Sequence, residues 1–385
     1  MNRLAPGILC AAVIAALLLV VVIQHGPADK LRVENAALRS KILELKAELD
    51  LLSKSHPATK RAFTPRLPAP TLQTSSSAES APENLSLTNL IYQLHHGSNA
   101  PKLTLEQVEP YLKANHRSGL SLVVAARATG DYSLLQEALE KDPKNPQVAF
   151  AGVFKFDSTP EERRKWLDQF QQAAPDNSLA SYLSAYDRLK SGNTDQAVQE
   201  LSAAAGKQVF GDYSMDFVMA AEEAYRAAGY SVAESKILAD SQLLLPQLSQ
   251  LKDLNRKMVE LASSYQQAGD NASAQTLLQM GASLGERLQT QAGEPLITEL
   301  VGIAVETKAL EAMDPNTHLS DVNQTIKARL DELAQQRAAI KESNAGFESF
   351  QQQITDQDWI SFSERRRLFG EHAALQWLAS KYGQN

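Results

Sequence analysis

The sequence predicts an all-α protein: an α-solenoid of helical hairpins preceded by a transmembrane helix, a coiled-coil helix and a disordered linker. Three observations point there. Ala, Leu and Gln are abundant, aromatics make up only 6% of the chain, and runs of β-branched residues are nearly confined to the first 23 residues, a composition that favours helix over strand. Leucines recur at seven-residue spacing near the N-terminus. From residue 86 onward, apolar helical segments are punctuated by Gly-Asp and Gly-Asn turns.

Residues 4–23 carry no charge and end in Leu17-Leu18-Leu19-Val20-Val21-Val22-Ile23. That length crosses a hydrocarbon layer of ~30 Å as a helix. A cleaved signal peptide would have an apolar core of only ~7–15 residues, although Gly26-Pro27-Ala28 is a passable cleavage site. A lipoprotein box needs small residues before the cysteine, and Cys10 follows Ile8-Leu9. A retained single-pass anchor is the expectation. Arg3 favours a cytoplasmic N-terminus, whereas Lys30, Arg32, Arg39 and Lys41 pull the other way. The short basic start and the lack of cysteine beyond Cys10 lean toward a bacterial inner-membrane protein with its main domain in the periplasm.

Over residues 28–54, Leu31, Leu38, Leu45 and Leu52 fall at heptad position d, with Ala28, Asn35, Ile42 and Leu49 at position a. A single Asn among apolar a residues favours a parallel, in-register dimer, because two such amides satisfy each other across the seam. Glu34 would face Arg39 of the partner helix favourably, and Lys41 would face Lys46 unfavourably. Three and a half heptads are marginal for a free helix, and tethering both chains in one membrane compensates by raising their effective concentration. Residues 55–85 hold Pro57, Pro65, Pro68, Pro70, Pro82 and Ser75-Ser76-Ser77, and read as a disordered spacer.

Residues 86–290 read as helical hairpins. In Ser181–Ala204, Gly192 ends one helix with a left-handed cap and Asn193 to Asp195 open the next, so that Ala197 and Leu201 pack back on Ala185. Met258–Leu278 repeats the pattern, and both share Gly-x4-Ala-x3-Leu (Gly192/Ala197/Leu201 and Gly269/Ala274/Leu278). Weaker copies sit at Gly130-Asp131-Tyr132 and Tyr225–Gly229. Thr159-Pro160-Glu161-Glu162 forms a capping box with proline at the first helical position, and Thr104 caps an earlier helix. Across residues 120–288 these segments resemble tetratricopeptide repeats: small residues face each other between paired helices, Tyr precedes the turn, and Pro closes a repeat. The resemblance implies stacked helical pairs, each burying its apolar face on its neighbours, with an inner surface built from the first helix of each pair. On that surface it would place Tyr182, Tyr186, Lys190, Arg256 and Gln266. The Lys/Asn/Arg set with which some members of that family hold a peptide carboxylate is not found.

Residues 291–385 read as a helical cap: one apolar helix over Pro295–Met313, a polar one over Ser320–Lys341 with Val322, Ile326, Leu330 and Leu333 on one face, and a terminal helix carrying Leu368, Leu375, Leu378 and Tyr382. Trp359, Trp377 and Phe369 read as its core. Chemistry-bearing residues are sparse. His95-His96 point ~100° apart on a helix and make a poor metal pair. Asp356-Gln357-Asp358 reads as a helix start, and Arg365-Arg366-Arg367 as a solvated face. No nucleotide-binding or hydrolase motif is present, so no catalytic, metal-binding or cofactor-binding residue is expected. The charge is uneven: residues 1–78 hold ten Lys/Arg against five Asp/Glu, and the remainder 28 against 40. An acidic main domain excludes the cationic surface that nucleic acid needs. The expected function is a membrane-anchored, dimeric interaction scaffold that binds an unknown protein or peptide. The rival is a tethered enzyme built from Asp356, Asp358 and Arg365–Arg367.

Overall fold

A computed structural model of the chain describes residues 101–290, 293, 295–319 and 324–383, together with Leu87, Leu90, Ile91 and Leu94. The chain divides into two units, Met1–Glu79 and Ser80–Asn385, and every described residue lies in the second. The apolar segment, the heptad seam, the linker and His95-His96 lie outside the described residues. Among the described residues no helix is long and apolar enough to cross a membrane.

The second unit is all-α, and its helices pair in chain order. Leu87, Leu90, Ile91 and Leu94 are helical. After them come α1 (Leu105–Ala114) and then the hairpins α2 (Gly119–Thr129) with α3 (Tyr132–Lys141), α4 (Pro146–Val153) with α5 (Pro160–Ala173), α6 (Ser178–Lys190) with α7 (Thr194–Ala205), α8 (Ser214–Ala227) with α9 (Val232–Ser241), and α10 (Pro246–Gln267) with α11 (Asn271–Gln289). Beyond these, α12 (Leu296–Leu310) packs on α11, α13 (Ile326–Phe350) follows, and α14 (Asp356–Phe369) pairs with α15 (Glu371–Tyr382).

The turns are built as the residues dictate. Gly192 and Gly269 hold φ of 79° and 85°, a region that side-chain-bearing residues avoid. The small and leucine positions that follow them, Ala197, Leu201, Ala274 and Leu278, are buried, as is Ala185. Thr104 and Thr159 form the expected capping boxes with Gln107 and Glu162. The closest helix pair is α11 with α12, where small residues replace side-chain packing. A Cβ on Gly285 would lie 2.5 Å from the Glu306 nitrogen and 2.7 Å from the Gly302 carbonyl oxygen, so only glycine permits this approach.

The stacking order departs from a simple run of neighbours. Hairpin α6/α7 packs directly on α10/α11, while α8 crosses back to lie on α1 and α2. The connection Gly206–Tyr213 makes this rerouting. Asn177, the cap of α6, donates from Nδ2 to the Gly211 carbonyl at 2.7 Å and accepts from the Gly211 nitrogen at 3.1 Å. Ser178 N donates to the Val209 carbonyl at 2.8 Å. From α11, Arg287 donates to the carbonyls of Lys207 and Ala205 at 2.8 and 3.3 Å. The strap is thereby fastened to two hairpins. It delivers Tyr213, held at φ 59°, into a cluster with Phe150 and Phe170, both 6.1 Å away. Phe217 on α8 stacks on Phe150 at 6.4 Å, completing the seat.

Three expectations for the C-terminal part are corrected. The polar helix begins at Ile326 rather than Ser320, because Thr325 supplies its cap. The terminal stripe is split: Gly370, at φ 85°, separates α14 from α15, leaving Leu368 69% exposed at the end of α14 while Leu375 and Leu378 are buried on α15. Phe369 at that break is exposed rather than core. Trp359 and Phe362 do pack with Phe347 of α13.

Candidate functional site

The five residues expected on an inner face are only partly brought together. Tyr182 is 1% exposed and packs on Phe210 inside the hairpin, so it belongs to the core and presents nothing to a partner. Burial raises its phenol pKa, an effect Arg287 partly offsets. Tyr186 is half-buried and meets Arg256 of α10 through Asp253, to which both are hydrogen-bonded. Arg256 also reaches Glu260 at 2.5 Å. Lys190 and Gln266 are exposed on the same two helices.

Next to this group, two arginines of α5 meet α6. Arg163 lies 3.5 Å from Asp187 and donates to Gln250 of α10 at 2.6 Å, and burial lowers its pKa despite the pull of Asp187. Arg164 sits between Asp168 at 2.7 Å and Asp187 at 3.5 Å. Arg164 lines an open cleft of ≈ 600 Å³ between α5 and α6, whose walls include Glu161, Lys165, Gln172 and Arg188. Of the acids lining that cleft, Asp168 is paired with Arg164 and Asp187 with Arg163 and Arg164, while Glu161 is exposed without an ion-pair partner among the described residues. Lys165 and Arg188 have no ion-pair partner among the described residues, and Arg188 Nε is buried without a hydrogen-bond acceptor. The unpaired charges lining the cleft are thus Lys165 and Arg188 against Glu161. No sequence pattern marks this, because Arg188 and Lys165 lie on different helices and neither belongs to a motif.

The Arg365–Arg367 run is neither a solvated face nor an open anion site. Arg366 pairs with Asp240 of α9, and Arg367 with Glu222 of α8. Lys236 of α9, itself buried, bridges Glu222 at 3.1 Å and Glu364 at 2.5 Å. Arg365 lies over the Trp377 ring at 4.7 Å. Burial raises the Asp240 carboxyl against the pull of Arg366. Burial also works to raise Glu222, but the bonds from Arg367 and Lys236 outweigh it and hold that carboxyl below the usual range. These charges fasten α14 to hairpin α8/α9.

Asp358 is spent in the same way. It receives Lys381 Nζ and the Tyr382 hydroxyl, each at 2.5 Å, and the Thr355 hydroxyl at 2.8 Å. Thr355, not Asp356, is the cap of α14. Asp358 and the three arginines thus go to separate partners, Asp356 is exposed, and the five do not converge on a cleft. Among the described residues no three His, Cys, Asp or Glu side chains are grouped to hold a metal ion. One further half-buried carboxyl, Glu299, faces a cleft of ≈ 240 Å³ with His372 nearby, and burial raises its pKa.

The geometry defines an all-α domain of paired helices with a fold-back hairpin. Set against known proteins, the chain matches no family, no curated protein and no solved structure.

Proposed function

We propose that this chain is a membrane-anchored, dimeric scaffold of a bacterial envelope, in which tetratricopeptide-like hairpins bind an acidic segment of a partner protein along the α5/α6 cleft. The anchor is the apolar stretch of residues 4–23, and the pairing element is the seam of Leu31, Asn35, Leu38, Ile42, Leu45, Leu49 and Leu52. The hairpin pairing and the turn glycines support the repeat reading. One observation carries the choice of face: Arg188 lines the cleft and has a buried Nε without an acceptor, and neither it nor Lys165 is paired with an acid, although the exposed Glu161 stands in the same wall. A buried donor left unmade costs ~1–3 kcal/mol, which a carboxylate from a partner would recover. Lys165, Lys190 and Arg256 extend the cationic or polar surface on either side. The full chain in its native membrane, carrying a photo-crosslinking residue at Gln172 or, as control, at Thr276 on α11, tests the idea. Crosslinks to a distinct protein from Gln172, lost in Arg188→Glu and absent from Thr276, are expected. Equal labelling from both positions counts against this face.

A further inference from the structure

A cleft of ≈ 240 Å³ opens where helix ends meet: the last turn of α11, the first turn of α12 and the break between α14 and α15. Two glycines shape it. Gly370 turns the chain at φ 85° between α14 and α15. Gly293, at φ 82°, approaches the Arg367 carbonyl oxygen so closely that a Cβ would stand 3.1 Å from it. Leu288, Pro295, Leu296 and Leu368 supply apolar wall, and Leu368 is left 69% exposed at the rim. The volume is below the ~300–1,000 Å³ of sites for drug-sized ligands and enough for one long side chain.

Most of the polar groups in this cleft are engaged. Gln289 donates to the Gly285 carbonyl oxygen at 3.1 Å and to Glu306 at 2.6 Å. Glu371 accepts from the Leu296 nitrogen at 2.7 Å, and His372 Nε2 meets the Gln376 amide at 2.9 Å. Glu299 differs: among the described residues no donor bonds its carboxyl and no Lys or Arg lines the cleft beside it. Glu299 also borders a second cleft, whose Arg329 is spent on Glu306 and Glu332. Burial raises the Glu299 carboxyl, and His372 offsets this only in part. The cleft is thus an apolar trough with an unpaired carboxyl, on a stretch of chain, residues 79–385, that holds 40 acids against 28 bases. A carboxylate or phosphate entering it would meet two glutamates and no base. A lysine fits: its four-carbon stem packs on apolar wall while its ammonium takes the carboxylate. We propose that this cleft receives a lysine side chain of a partner protein, with the ammonium on Glu299 and the stem against Leu296 and Leu368. The site lies on other helices than the α5/α6 cleft and stands or falls independently of it.

Calorimetric titration of the purified full chain with short synthetic peptides decides this. The probe is an acetylated, amidated pentapeptide carrying lysine between two leucines, and its control has glutamine in place of the lysine. The lysine peptide is expected to bind about five-fold tighter than the control, the contribution of one half-exposed ion pair. That preference should vanish in Glu299→Gln and persist in Arg188→Glu, which alters only the α5/α6 cleft. Leu368→Ser should weaken both peptides alike. Equal affinities, no saturable binding, or a preference that survives in Glu299→Gln would overturn the assignment. So would n-butylamine binding as tightly as the lysine peptide, because the ligand would then be a small amine. Should Glu299→Gln fail to fold, carbodiimide coupling of the lysine peptide to the parent protein still decides: an isopeptide bond at Glu299 supports the site, and coupling only at other carboxylates rejects it.

Discussion

Gly285 and Gly302 show how much a single missing carbon decides. Gly285→Ala places a methyl 2.5 Å from backbone of the facing helix, where no side chain can move aside. It is expected to destabilise the domain by about 1–3 kcal/mol in urea unfolding. Gly206→Ala is the control: its φ is −78° and the nearest atom to its Cβ is 3.8 Å away, so the change should be neutral or stabilising by under ~1 kcal/mol. Asp358 carries a pH signature. Burial pushes its carboxyl upward, but the bonds from Lys381, Tyr382 and Thr355 prevail and hold it below the ordinary value of about 3.9. A carboxyl depressed on folding stabilises fully above its unfolded pKa, and that contribution disappears as pH falls through the folded value. Urea midpoints at pH 7 and pH 3 should therefore differ more in the parent than in Asp358→Asn. Equal differences would show that the Lys381 pair is not the source.

Among the elements, the pairing of α9 with α14 is the most exposed to test. Removing one partner leaves a charge stranded between helices, so Arg366→Met alone should cost about 3 kcal/mol. The double change with Asp240→Asn should recover most of that loss. Hydrogen exchange should quicken in α9 and α14 together in the single variant. The same element explains what was legible beforehand. Helix type, the turn glycines and the Thr104 and Thr159 caps depend on residues within a few positions of one another, and a local pattern encodes them. Arg366 meets Asp240 across 126 positions, and Arg367 meets Glu222 across 145. No periodicity carries such a pairing, so a run of three arginines looks solvated. Asn177 is an intermediate case. An Asn before a helical run is a local capping pattern, but its grip on Gly211, 34 residues onward, has no such pattern. Asn177→Ala removes a cap and two reciprocal backbone bonds, and should cost about 2 kcal/mol by equilibrium unfolding.

For the whole molecule, the proposed pairing of chains would rest on the N-terminal seam. Crosslinking of the full chain in membranes should trap dimers if that proposal holds, and Leu38→Pro together with Leu45→Pro should abolish them, because proline would interrupt a coiled-coil helix in two places. Dimers undiminished in that variant would place self-association elsewhere. The fold-back of α8 and α9 has a temporal consequence. A chain leaves the ribosome from its N-terminus, and early hairpins can pair as soon as they emerge. Glu222 and Lys236 can pair with each other within the hairpin, but Arg366, the partner of Asp240, and the second partners of Glu222 and Lys236, Arg367 and Glu364, emerge well over a hundred residues later. Until translation reaches α14, this acidic-and-basic cluster must stay hydrated. A nascent chain stalled before Glu364 is thus expected to hold its early hairpins while its fold-back hairpin lacks the charges that fasten it to α14.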